Sequence, residues 1–150
     1  MCWRILNGFR CAAQGVWQCM RAEWHFRFHM VAACYVLWFA PRFDLTRAEW
    51  SVLALTIGGV LAAELFNSAV ERAIDRFSTE RHPLAGLAKD MAAGAVLVTA
   101  VVAVAVAVFL FWDPPAWLAI IGGWKTNWFE PILLLVSAVL AGLFIGKWGT

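Results

Sequence analysis

The stretch AELFNSAVERAID, residues 63–75, places Glu64, Asn67, Glu71 and Asp75 in steps of three, four and four. On a helix that spacing brings all four side chains to one face. The surrounding residues are apolar enough to enter a bilayer, where a carboxylate costs about 2.5–3.5 kcal/mol on insertion scales. For Glu71 and Asp75 the plain reading is a solvated helix end, paired with Arg72 and Arg76. Glu64 fits that reading poorly, because an intramembrane carboxylate marks a functional site by default. At about 1.5 Å of rise per residue, Glu64 lies roughly 10 Å deeper than Glu71. A lipid alcohol presents its hydroxyl at the deeper level, and a phosphate donor reaches the shallower one from water. The chemistry that suits this is phosphoryl transfer, with oxygen ligands for magnesium and a base beside the attacking hydroxyl. Glu64 would then be the base, Glu71 with Asn67 or Asp75 would hold metal, and Lys89 would meet phosphate. Glu23 and Arg27, four residues apart, can join them from the start of the preceding span.

Composition sets the medium in which such a site must be built. The chain has 150 residues, 63% hydrophobic and only 15% charged, with ten tryptophans. Soluble domains average about a quarter charged, so this is an integral membrane protein with room for one domain. A net charge of +2 without a basic run gives no reason to invoke nucleic acid. Cys2, Cys11, Cys19 and Cys34 contain no C-x-x-C and none lies in a polar loop, so they read as small packing residues. The first twenty residues are too broken by arginine for a cleavable signal.

The elements that position the acids are all helical. Residues 3–22 mix apolar side chains with arginines, as an amphipathic helix in the interface does. Spans are expected at about 27–40, 49–70, 91–112 and 131–146. The second helix runs on through VERAIDRF, and STERHPLAGLAKD reads as a polar link. VVAVAVAVF alternates like a strand, but an isolated strand in lipid leaves its backbone unpaired, so helix is expected. DPPAWLAIIGGW reads as a turn and a short interfacial segment. Arg4, Arg10, Arg21 and Arg27 lie before or at the start of the first span, and Arg72, Arg76, Arg81 and Lys89 lie at 71–90. Residues 113–130 carry only Lys125. Four crossings then put both termini and the acidic face in the cytoplasm.

The run ELFNSAVERAIDRFSTERHPLAGLAKDMAAGAVL, residues 64–97, resembles the signature of the prokaryotic diacylglycerol kinase and undecaprenol kinase family. The pattern is E-x-x-N-[ST]-A-x-E-x-x-x-D, followed by H-x-L-x-x-x-A-K-D and a small-residue helix start. Upstream, Phe9, Ala12, Gly15, Glu23, Phe26, Arg27 and His29 resemble the undecaprenol-type N-terminal pattern. The likeness runs from residue 4 to about 112, making 1–112 a lipid kinase domain and 113–150 an extension with an additional span. It implies an ATP- and Mg2+-dependent kinase acting on a membrane lipid alcohol, in a bacterial inner membrane. Glu64 matches the family's general base, and Glu23 and Glu71 match its magnesium- and ATP-contacting acids. Lys89 and Asp90 match the nucleotide-contacting pair, while Glu80, Arg81 and His82 match the loop over the nucleotide. Asn67 and Asp75 match supporting polar residues, and Arg27 a substrate contact. The family also implies homotrimers with active sites shared between protomers.

Two departures stand out. His25 replaces the asparagine usual two positions after the first acid, and residues 113–150 add a span that the minimal fold lacks. Since the motif residues end by the third span, the extension is expected to be dispensable to the chemistry. No G-x-x-x-x-G-K-[ST] occurs, in keeping with the family. His25 and His29 share a helical face and offer a metal or haem pair, although no second His pair completes a site. A channel or scaffold with acids lining an ion path is the alternative, but it gives Lys89, Asp90 and Glu23 no task. The acceptor stays open between diacylglycerol and undecaprenol, with the F-R-x-H pattern leaning to undecaprenol.

Overall fold

The structure is a computed structural model that describes residues 2–77 and 82–146, with side chains from residue 6 onward. All its described elements are helical: α1 (Cys2–Ala22), α2 (Trp24–Phe39), a 3₁₀ turn (Ala40–Arg42), α3 (Arg47–Phe77), α4 (Pro83–Phe111), α5 (Pro114–Thr126) and α6 (Phe129–Gly146). VVAVAVAVF is helical, inside α4. Three helices, α3, α4 and α6, are long and apolar enough to cross a membrane. At 16 residues, α2 spans only about 24 Å against a hydrocarbon core of about 30 Å.

Local chemistry sets the helix starts. Thr46 and Glu49 form a reciprocal capping box at α3: the Thr46 N–H donates to Glu49 Oε2 at 2.7 Å, and the Glu49 N–H donates to Thr46 Oγ1 at 3.3 Å. Asp113 caps α5 by accepting from the Ala116 N–H at 3.1 Å, with Pro114 following it. The expected polar link and interfacial segment are both more helical than their composition suggests. His82 caps α4 and Pro83 opens it, so Lys89 and Asp90 stand on the second turn of a helix rather than in a loop. DPPAWLAIIGGW folds almost entirely into α5.

The α3 and α4 helices pack along their length, and α2 lies against both α3 and α6. The core is thin: α3 buries Leu53, Val60, Glu64 and Ser68 on one stripe, at helical spacing. On α4, Val98, Val101, Val104 and Phe109 are exposed. Such a surface requires lipid or another chain against it. At the end of α2 remote from the acids, Phe43 packs edge-on against Phe111 and Trp117, with ring centroids 4.9 and 5.2 Å apart. Trp117 also donates its indole N–H to the Phe111 carbonyl at 2.8 Å.

Candidate functional site

The site is a ladder of polar contacts up one face of α3, from the middle of the helix toward its C-terminal end. Glu64 is the lowest rung. It is 3% exposed, and its Oε1 lies 3.2 Å from His29 Nε2 on α2. One turn on, buried Ser68 meets Cys19 of α1, with Oγ and Sγ 3.3 Å apart. Another turn on, Arg72 donates to Glu23 Oε1 at 3.3 Å. At the top, Asp75 pairs with Lys89 of α4. Four successive contacts therefore gather α1, α2 and α4 around α3.

Asn67 and Glu71 stand beside this ladder. The Asn67 Nδ2 donates to Glu71 Oε1 at 3.1 Å, as their four-residue spacing on a helix permits. Asn67 Oδ1 is buried and has no hydrogen-bond partner among the described residues. A buried carbonyl oxygen in that condition is open to a water or a cation. Among the described residues no three His, Cys, Asp or Glu side chains gather as a metal site. Magnesium needs less than that, since it is commonly held by one or two carboxylates together with substrate phosphates and water. Oxygen donors of the Asn67 and Glu71 kind fit such an ion.

Below Glu64 the polar ladder gives way to an apolar groove of about 320 Å³ between α2, α3 and α4. His29 is at its polar end, and Val36, Leu53, Val60 and Ala103 are among its walls. His29, the partner of the buried carboxylate, thus lines a groove of alkyl surface.

The sequence profile of prokaryotic diacylglycerol kinase matches residues 10–111, which end where α4 ends. The chain belongs to the prokaryotic diacylglycerol kinase family. It is therefore a lipid kinase. Among its relatives, an undecaprenol kinase of Bacillus subtilis strain 168 is 41% identical over 108 residues, covering 72% of this chain and 88% of that protein. A diacylglycerol kinase of Escherichia coli K12 is 35% identical over 106 residues, covering 68% and 87%. A diacylglycerol kinase of Haemophilus influenzae is 33% identical over 94 residues, covering 63% and 80%.

In this member of the diacylglycerol kinase family, the expected residues fall into three groups. Glu64, Asn67, Glu71 and Asp75 share the α3 face, and Glu23 and Lys89 reach it from α2's start and from α4. Glu23 and Glu71 have separate partners, Arg72 and Asn67. Asp90 is exposed on α4, and His82 uses its Nδ1 to accept from the Leu84 N–H at 3.3 Å as the helix cap. Glu80 and Arg81 lie outside the described residues. Arg27 is placed apart from the rest. Fully buried, it gives its guanidinium to the carbonyls of Met20, Arg21 and Ile145. In that position its guanidinium ties the ends of α1 and α6 to α2.

On the sequence alone His29, Arg72 and Ser68 have no place in the phosphoryl-transfer site, although the structure puts them in its contacts. His29 had a signal, since it belongs to the F-R-x-H pattern that carries the family likeness. Ser68 fills the [ST] position of the motif, and Arg72 reads as a counter-charge to Glu71 and Asp75.

Proposed function

We propose that the protein uses Glu64 as the general base that takes the proton from the hydroxyl of a membrane lipid alcohol, with ATP as phosphate donor. The observation that carries this is the contact of buried Glu64 with His29, a residue that lines an apolar groove. The groove accepts an isoprenoid or acyl chain, and a hydroxyl at the end of that chain meets the carboxylate. His29 holds Glu64 in place, so the acceptor proton passes to a fixed oxygen.

The donor is held higher on the same face. Asn67, Glu71 and Glu23 are the oxygen ligands we assign to Mg2+, which when bound neutralises the phosphate charge. Lys89 is assigned to phosphate, oriented by Asp75, and Asp90 and His82 to the nucleotide alongside Glu80 and Arg81. Residues 1–112 are proposed as the kinase domain and 113–150 as its extension. We further propose that α1 lies in the interface, that α2 crosses together with α3, α4 and α6, and that the ladder and both termini face the cytoplasm of a bacterial inner membrane. The exposed apolar face of α4 suits contact with other copies, in keeping with a homotrimer.

The relatives include both an undecaprenol kinase and diacylglycerol kinases, and we favour undecaprenol as acceptor on the higher identity and the F-R-x-H pattern. Purified protein incubated with labelled ATP and either lipid tests this. Faster labelling of undecaprenol supports the assignment, faster labelling of diacylglycerol reverses the acceptor, and labelling of neither removes the reading.

A further inference from the structure

Helix α6 lies antiparallel to α2 in one fixed register. Arg27 meets the Ile145 carbonyl, Tyr35 Oη meets Ser137 Oγ at 3.0 Å, and Arg42 pairs with Glu130 at 3.6 Å. Steps of eight and seven residues along α2 and the 3₁₀ turn after it are matched by steps of eight and seven back along α6. Three polar pins therefore run the length of the pair, and a slip of one residue would break all of them.

The pin at Arg27 joins more than two helices. Its Nε and Nη2 donate to the Ile145 carbonyl at 3.1 and 2.8 Å, and its Nη1 donates to the Met20 and Arg21 carbonyls at 3.2 and 3.1 Å. All three carbonyls lie in the last turn of a helix, α6 or α1, where backbone oxygens lack intrahelical donors and the helix end carries partial negative charge. Arg27 is fully buried and its guanidinium donates to carbonyls, so these helix ends compensate its charge. Between α1 and α2 stands a single residue, Glu23, in extended backbone with φ −105° and ψ 116°. The same tie that joins the helix ends fixes the corner from which the Glu23 carboxylate projects.

We propose that α6 is a working part of the kinase: it holds Arg27, and Arg27 so held sets the α1–α2 corner and the position of Glu23. Arg27 is then a positioning residue, and the extension, dispensable on the sequence pattern, is coupled to nucleotide binding. The inference rests on Glu23 belonging to the nucleotide site, as proposed above. Removing the Ile145 carbonyl leaves two guanidinium nitrogens of a buried cation without acceptors, and the corner must move to satisfy them.

The test compares full-length variants by steady-state kinetics in detergent, with folding checked by thermal melting. Arg27→Met and insertion of one alanine after Leu140, which turns the end of α6 by about 100°, each remove the tie. Each is expected to raise the KM for ATP about tenfold while the KM for lipid changes little, and combining them should add nothing. Arg27→Lys, which keeps the cation but loses the fork, should recover part of the ATP affinity. Should the insertion fail to fold, Tyr35→Phe with Ser137→Ala removes the middle pin without adding volume and should shift the ATP KM in the same direction. Wild-type ATP KM in the folded α6 variants overturns the proposal, as does full additivity with Arg27→Met. Glu23→Gln is run in parallel: wild-type kinetics there contradict the Glu23 assignment itself, whatever the α6 variants do.

Discussion

His29 Nε2 and Glu64 Oε1 lie 3.2 Å apart between α2 and α3, with the carboxylate buried. This contact explains why an acid is tolerated at that depth: it sits on the buried stripe of α3, against an imidazole, and not against lipid tails. It also predicts a role for His29. Replacing it with Ala leaves Glu64 without that partner, and a catalytic group displaced by about 1 Å can lose about a hundredfold in rate. His29→Ala should lower kcat by roughly tenfold to a hundredfold, with the KM for ATP close to wild type, in a lipid phosphorylation assay.

Asn67 and Glu71 act as one unit through the 3.1 Å bond between them. Glu71→Gln should abolish kinase activity while leaving the protein folded, since an amide cannot supply carboxylate charge opposite magnesium. Asn67→Ala should be milder, weakening ATP binding by about tenfold, the worth of one hydrogen bond to a charged group. Nucleotide titration of both variants checks the order, and wild-type ATP affinity in Asn67→Ala would remove Asn67 from the metal ligands.

Cys19 offers a probe of the α1–α3 contact that needs no turnover. Burial pushes its thiol above the ordinary range, the Ser68 hydroxyl only partly opposing this, while Cys11 on the same helix is exposed. A raised pKa means less thiolate at neutral pH, and thiolate is the species that reacts. Maleimide should therefore label exposed Cys11 well before buried Cys19 at neutral pH. Equal labelling would show that α1 does not stay packed on α3.

Much of this was legible because helical spacing is local. The steps from Glu64 to Asp75 put four side chains on one face, and α3 presents them so. The start of α4 was misread because Gly86, Lys89 and Asp90 make residues 78–90 look like a loop, whereas His82 and Pro83 begin a helix there. Arg27 was beyond reach of the pattern altogether. Its partner Ile145 is 118 residues away and contributes a backbone carbonyl, which no side-chain motif records. His29 fell between these cases, visible in a pattern but given a task only by the fold that brings α2 to α3.

The division of labour between the deep carboxylate and the outer oxygen ligands is measured most directly on Glu64→Gln. Mg-ATP affinity and single-turnover transfer to the lipid should be determined on the same preparation. With Glu23, Asn67, Glu71 and Lys89 intact, ATP should bind with near-normal affinity. Transfer should slow by at least about a hundredfold, up to about 10⁴-fold for loss of a general base. Loss of ATP binding with transfer surviving at saturating nucleotide would contradict the assignment of Glu64 as the base.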